Sequence, residues 1–131
     1  MKAKLDPHLL MAKAERACQS ARALYDLGDM DGACNRAYYA MFDAARSALI
    51  AQETPVAADI GKTHNGLITA FGLHLVKQGP VPKDIGRLLK RAEEMRLIAD
   101  YTGNSIEDED AFAILEQAEI FVATLKALVK A

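Results

Sequence analysis

Apolar positions recur along this chain at the spacing of helices, and turn residues divide them into five runs. Asp6-Pro7 reads as a helix start, with Asp as N-cap and Pro in the first turn. Leu10, Ala14, Ala17, Ala21, Leu24 and Leu27 then follow near the helical period. Gly28 stops this helix, because glycine takes the left-handed conformation without a Cβ penalty. Asp29 is placed to cap a second helix that runs to about Ala51 or Gln52. Glu53-Thr54-Pro55 ends it, since the residue before proline disfavours helix, and residues 53–61 form a connection. A third helix covers Lys62 to Lys77 with Leu67, Ile68, Phe71 and Leu75 on its apolar side. Gly66 and Gly72 weaken it, each by roughly 1 kcal/mol relative to Ala. Gly79-Pro80-Val81-Pro82 is the strongest break and reads as a turn within one domain. A fourth helix runs from about Lys83 to Tyr101, burying Leu88, Leu89, Ala92, Met95 and Ala99, and Thr102-Gly103-Asn104 closes it. Ser105 starts the last helix, with Asp108 in a capping-box position.

These runs predict an all-α fold: an antiparallel up-and-down bundle of about five helices in a single domain over residues 1–131. Composition agrees, since 51% of the residues are hydrophobic and Ala and Leu dominate without any Trp. The formal charge of −2 argues against a chain that coats nucleic acid by charge alone. Local charge is uneven. Residues 62–96 carry seven Lys/Arg and three Asp/Glu, whereas residues 97–119 carry seven Asp/Glu and no Lys/Arg. Such strips can steer a ligand or pair across a dimer, or be solvated helix faces with i, i+4 pairs. The acids Glu107–Asp110 suit the positive end of the last helix, and Lys126 and Lys130 its negative end, so no metal site is read there.

Cys18 and Cys34 lack ligand spacing and read as buried thiols. No apolar run approaches the roughly 20 residues needed to span a bilayer, and no signal-like segment opens the chain. A cytoplasmic protein that engages no membrane is the expectation.

Candidate chemistry is sparse. His8 reads as solvated and His74 as a packing or surface residue. His64, in Lys62-Thr63-His64-Asn65-Gly66, can donate or accept a proton near neutral pH, though no partner is visible in the sequence. There is no HExxH pair, phosphate loop or nucleophile elbow. Arg96 and Asp100 share a helix face four residues apart. They read either as a local ion pair or as an arginine that holds a phosphate, oriented by Asp100 with Tyr101 beside it. Arg36, Tyr39, Asp43 and Arg46 are polar or amphipathic positions along an otherwise core-forming second helix, and suggest a cleft or an interface. In the adjacent tyrosine pair, Tyr38 falls with the core-side alanines and Met41, so packing accounts for it. Tyr39 shares a stripe with Asn35 and Arg46.

The stretch Asn35-Arg-Ala-Tyr-Tyr-Ala-Met-Phe-Asp-Ala-Ala-Arg46 resembles the signature of small stand-alone HEPN-domain proteins. Leu27-Gly28-Asp29, Lys62-Thr63-His64-Asn65-Gly66 and Arg96-Leu-Ile-Ala-Asp100-Tyr101 match the family in order and spacing. The resemblance implies a helical bundle that commonly dimerises, often encoded beside a minimal nucleotidyltransferase, with some members in toxin–antitoxin pairs. It also implies kinship with metal-independent ribonucleases. Their fourth helix carries an Arg followed, after four to six mostly polar residues, by a His, and two copies meet at the dimer interface. This sequence departs from that motif. Tyr101 stands five residues after Arg96, no His follows His74, and Gly103 occupies the place of a modifiable tyrosine. Asp43 replaces a frequent His. A phenol, with a pKa of about 10, is a poor proton acceptor at neutral pH.

The expectation is therefore a dimeric nucleotide- or RNA-binding module, or a nucleotidyltransferase partner, of toxin–antitoxin type. It would act through Arg36, Tyr39, Asp43, Arg46, Arg96, Asp100 and Tyr101, without cofactor or metal. A ribonuclease using Arg96 with an unconventional base such as His64 is the second expectation. A purely structural interaction protein is the third.

Overall fold

The computed structural model describes residues 5–56 and 60–130. The ends of the expected 1–131 domain, and the middle of the expected 53–61 connection, lie outside them. Five α-helices follow in order: α1 (Pro7–Asp26), α2 (Met30–Ala51), α3 (His64–Phe71), α4 (Lys83–Thr102) and α5 (Asp108–Val129). Among the described residues there is no strand. The protein is an all-α helical bundle.

Local chemistry sets most of the boundaries. The Asp6 carboxylate accepts the His8 N–H at 2.8 Å and starts α1. Gly28 (φ 87°) ends it, with the Asp29 N–H donating to Leu24 O at 2.9 Å and the Gly28 N–H to Tyr25 O at 3.0 Å. This is the paired arrangement that satisfies a helix's last carbonyls. Asp29 then turns the chain directly into α2 by accepting the Gly32 N–H at 2.9 Å. Thr63 caps α3 the same way through Gly66, at 3.1 Å.

Two boundaries differ from the sequence pattern. The third helix is not one α-helix from Lys62 to Lys77. It begins at His64, and after Phe71 it widens into a π-helical segment, Gly72–Lys77. The wider turns swing Leu75 into the core, and Gly79 then brings the backbone back across the helix end. A Cβ there would lie 2.6 Å from the His74 carbonyl oxygen, so only glycine fits. The last helix starts at Asp108 rather than Ser105. A tertiary contact overrides the local capping signal: the Ile106 N–H donates to Asp31 Oδ1 at 2.9 Å, and the Ile106 side chain is buried.

Contacts between helix ends give the directions. Glu15 pairs with Lys126 and Arg22 with Glu119, so α1 and α5 are antiparallel. Asp31 meets Ile106 near the starts of α2 and α5, and Gln52 Nε2 donates to Leu128 O near their ends, so those two are parallel. Helix α4 closes onto the start of α5 through five residues, and so runs opposite to α2.

Helix α2 is the centre. It packs on α1, α5, α4 and α3, and twelve of its residues are buried. Six of them are alanines, which let the neighbouring backbones approach closely. Ser47, fully buried among them, donates its hydroxyl to the Pro7 carbonyl at 2.6 Å. Where α2 passes α3 and α4, tyrosines and a phenylalanine replace the alanines.

Candidate functional site

Helix α2 carries two tyrosines in its middle, where it faces α3 and α4. Tyr38 is fully buried there and Tyr39 partly so. Thr63 fixes the first turn of α3, and this sets His64 over both rings and over Phe42. The ring centroids lie 5.5, 5.7 and 4.9 Å from the imidazole. Arg96 comes down from α4, its guanidinium carbon 4.9 Å from the centroid of the Tyr38 ring. That is within cation–π range.

The polar atoms meet at one point. The Tyr38 hydroxyl lies 2.9 Å from His64 Nδ1, and Arg96 Nη2 lies 3.4 Å from the same nitrogen. Arg96 Nη1 donates to Asp100 at 2.9 Å. The Arg96 side chain is only 14% exposed, and its Nε is buried with no hydrogen-bond partner among the described residues. Glu93, one turn before Arg96, is buried too, with exposed Lys90 3.6 Å away. The Tyr38 phenol is held far above its ordinary range, first by burial and then by the Glu93 charge, with Arg96 opposing. It therefore stays protonated and can donate.

Sequence reasoning paired Arg96 with Asp100, and that pair is present. It placed Tyr38 in the core for packing alone. The ring is indeed fully buried, but its hydroxyl reaches His64. It found no partner for His64, and the fold supplies Tyr38 and Arg96 from 26 and 32 residues away. It did not single out Glu93, whose one signal was its position a helical turn from Arg96.

Asp43 lies elsewhere along α2, half-buried, close enough to Lys13, Arg36 and Arg46 to feel their charges. Burial raises its carboxyl pKa, and the three cations only partly offset this. Gly61, at φ 103°, lets the connection pass over Arg46: a Cβ there would sit 3.2 Å from the arginine's Cδ and Nε. Among the described residues, no hydrogen bond or ion pair links Arg36, Asp43 or Arg46 to Tyr38, His64, Arg96 or Asp100. Tyr39, between the two groups on α2, packs edge-on against His64. Tyr101 projects at the end of α4 and is 83% exposed. Of the expected residues, Arg96, Asp100 and His64, with Tyr38, are joined by hydrogen bonds among the described residues.

Both cysteine thiols are buried and pushed up to about 11, mainly by burial, so they stay protonated and unreactive at neutral pH. No group of three or more His, Cys, Asp or Glu is placed to hold a metal ion among the described residues. No helix among them is long and apolar enough to cross a membrane.

Relatives bear on this geometry. A UPF0332 protein of Gloeobacter violaceus is 37% identical over 86% of this chain and 87% of its own length. A protein of Methanocaldococcus jannaschii named "Putative toxin" is 32% identical over 92% of this chain and 87% of its own. A UPF0332 protein of Archaeoglobus fulgidus is 33% identical, covering 90% of each. The model of the HEPN domain matches residues 8–128, from the first turn of α1 to the last turn of α5. The chain belongs to the HEPN domain family.

Proposed function

We propose that this chain is a toxin-type HEPN protein that holds a phosphate of RNA at the Arg96–His64 pair and works as a homodimer with a nucleotidyltransferase partner. The observation that carries the reading is Arg96 itself. A guanidinium this buried would ordinarily be consumed by carboxylates on every side, because an under-used buried charge is costly. Here one amino group is satisfied by Asp100 and the other has only a long contact to His64, while Nε has no partner among the described residues. A phosphate's oxygens match such a fork in geometry and charge. Tyr101, exposed at the end of α4, offers a face on which a base of the same RNA can stack. Arg36 and Arg46 further along α2 supply positive charge for a neighbouring stretch of backbone, with Asp43 between them. The toxin part leans on the name of the archaeal relative, and the dimer and partner on the family resemblance.

Titration with a short single-stranded RNA and separately with ATP, followed by calorimetry, tests this. Binding weakened at least tenfold by Arg96→Met supports it. If neither ligand binds the wild-type protein the site is wrong, and the structural-interaction reading takes its place.

One observation favours a second reading, a metal-independent ribonuclease. His64 stands beside Arg96 although the fourth helix has no histidine of its own. Cleavage of single-stranded or transfer RNA in the presence of chelator, lost in both Arg96→Ala and His64→Ala, supports it. No cleavage by the wild-type protein under these conditions rejects it.

A further inference from the structure

We propose that Tyr38 is a positioning residue: its hydroxyl holds the His64 imidazole in the tautomer that carries its proton on Nε2, making this histidine a donor to the bound phosphate rather than a base. The inference rests on the phosphate-binding reading above for its consequence, but its first step is independent of any ligand.

Two groups face His64 Nδ1: the Tyr38 hydroxyl at 2.9 Å and Arg96 Nη2 at 3.4 Å. A guanidinium has N–H groups and no acceptor. A proton on Nδ1 would therefore point at another N–H. The phenol has no second hydrogen-bond partner among the described residues, so a phenol accepting from Nδ1 would leave its own proton unsatisfied in a fully buried place. Both conflicts vanish when Nδ1 accepts from the phenol, as the raised phenol pKa allows. A neutral imidazole that accepts at one nitrogen donates at the other. Second partners of this kind commonly fix which ring nitrogen carries the proton.

The consequence separates the two functional readings. Removing a proton from a ribose hydroxyl requires a lone pair on the nitrogen facing the substrate. The Nε2–H tautomer has none there. Together with the Arg96 fork it presents hydrogen-bond donors only, the pattern that fits an oxyanion such as a phosphodiester. The site is thus built to hold phosphate.

The test reads the tautomer directly, through long-range nitrogen–proton correlations of the imidazole in uniformly labelled protein without ligand, near pH 8. The wild type should show His64 protonated on Nε2 alone. Tyr38→Phe keeps the buried ring and removes only the hydroxyl; with Arg96 Nη2 left at Nδ1 as a long contact, it should bring a measurable minor Nδ1–H population with unchanged circular dichroism. Single-stranded RNA binding should weaken about three- to tenfold in that variant, the loss a single neutral hydrogen bond commonly brings. In a His64→Gln background, whose amide nitrogen stands near the place of Nε2 and does not tautomerise, adding Tyr38→Phe should change binding by less than about twofold. A wild-type His64 protonated on Nδ1, or a tautomer that Tyr38→Phe leaves unchanged, overturns the proposal. If the tautomer responds as stated while the wild type binds no RNA, the role of Tyr38 stands and the phosphate-binding reading falls.

Discussion

The two sides of α2 are built on opposite principles. Towards α1 and α5 it presents alanine, and the helices are fastened at their edges by Arg22–Glu119 at 2.7 Å and Lys126–Glu15 at 2.8 Å. The buried hydroxyl on that side, Ser47, has its partner. Towards α3 and α4 it presents Tyr38, Tyr39 and Phe42, and the space beside them takes in His64, Glu93 and Arg96. There a guanidinium is buried with capacity to spare, and the neighbouring helix changes its winding at Gly72. The partition is not absolute, since Gln117 Oε1 on α5 is also buried without a partner among the described residues. Still, one side is given over to packing, and the other holds polar groups that satisfy one another only in part, with Arg96 Nε left over. Natural chains tolerate such departures chiefly at functional positions.

The largest effect should come from removing bulk on α5, even where that helix also reaches Phe71 of α3. Phe121 on α5 is fully buried, and its ring centroid lies 5.5 Å from that of Phe71. Phe121→Ala should cost about 3–5 kcal/mol, seen as a lowered urea midpoint with an unchanged slope. A cost below about 1 kcal/mol would mean that the bundle collapses into the cavity, and that this side is not tightly packed.

Adding bulk at the α1–α2 contact comes next. Ala17 has no exposed surface and lies within the buried core cluster. Ala17→Leu should lose about 1–3 kcal/mol through overpacking, despite its good helix propensity. A gain in thermal stability would show a void between α1 and its neighbours at Ala17.

How far these two sides could be read from the sequence follows the same division. The α1–α2 hairpin was legible because its causes are local. Asp6, Gly28 and Asp29 act within five residues of where they stand, and the alanine stripe repeats along one helix. The site was only half legible. Arg96 and Asp100 are one turn apart and visible as a pair, whereas His64 meets Tyr38 and Arg96 only when α3 and α4 close on α2. Tyr38 shows why stripe position is a poor guide to role: the core-side stripe correctly buries the ring, but says nothing of where a hydroxyl 6–7 Å from the backbone will end. Ser105 misled for a related reason, because the bond from Ile106 to Asp31 crosses 75 residues and no local signal carries it. The π-helical segment was signalled only by the weakness of Gly72 in a helix.

The site side should respond differently to loss of its charge. Arg96→Met removes the cation but keeps a flexible chain over the Tyr38 ring. What the fold gives up is a half-exposed pair with Asp100, one helical turn away, worth a few tenths of a kcal/mol, and the cation–π contact with the Tyr38 ring, worth about 1–2 kcal/mol. What it regains is the desolvation of a guanidinium with an unsatisfied nitrogen. The two should nearly cancel, leaving stability within about 1 kcal/mol of wild type by denaturant titration. A loss of 3 kcal/mol or more would class Arg96 with the scaffold, and the contrast between the two sides of α2 would fail.

The smallest expected effect tests whether Asp43 belongs to the scaffold or to the site side. Its carboxyl pKa is raised in the folded protein because burial outweighs Lys13, Arg36 and Arg46. As pH rises, the unfolded chain therefore loses this proton before the folded one does. Asp43 contributes its full stability only below its unfolded pKa of about 3.9, and that contribution is lost as pH climbs through the higher folded value. Asparagine has the same shape and no such dependence. The stability of Asp43→Asn relative to wild type should therefore increase between about pH 3.5 and pH 7, where the wild type bears the cost of a half-buried carboxylate. Urea midpoints of the two proteins at both pH values measure it. A difference that decreases over this range would mean that the ionised carboxylate is stabilised by its cations, and Asp43 would then be a satisfied partner of Arg36 and Arg46. A difference that increases places Asp43 with Arg96 and His64, among polar groups this fold keeps at some cost to its stability.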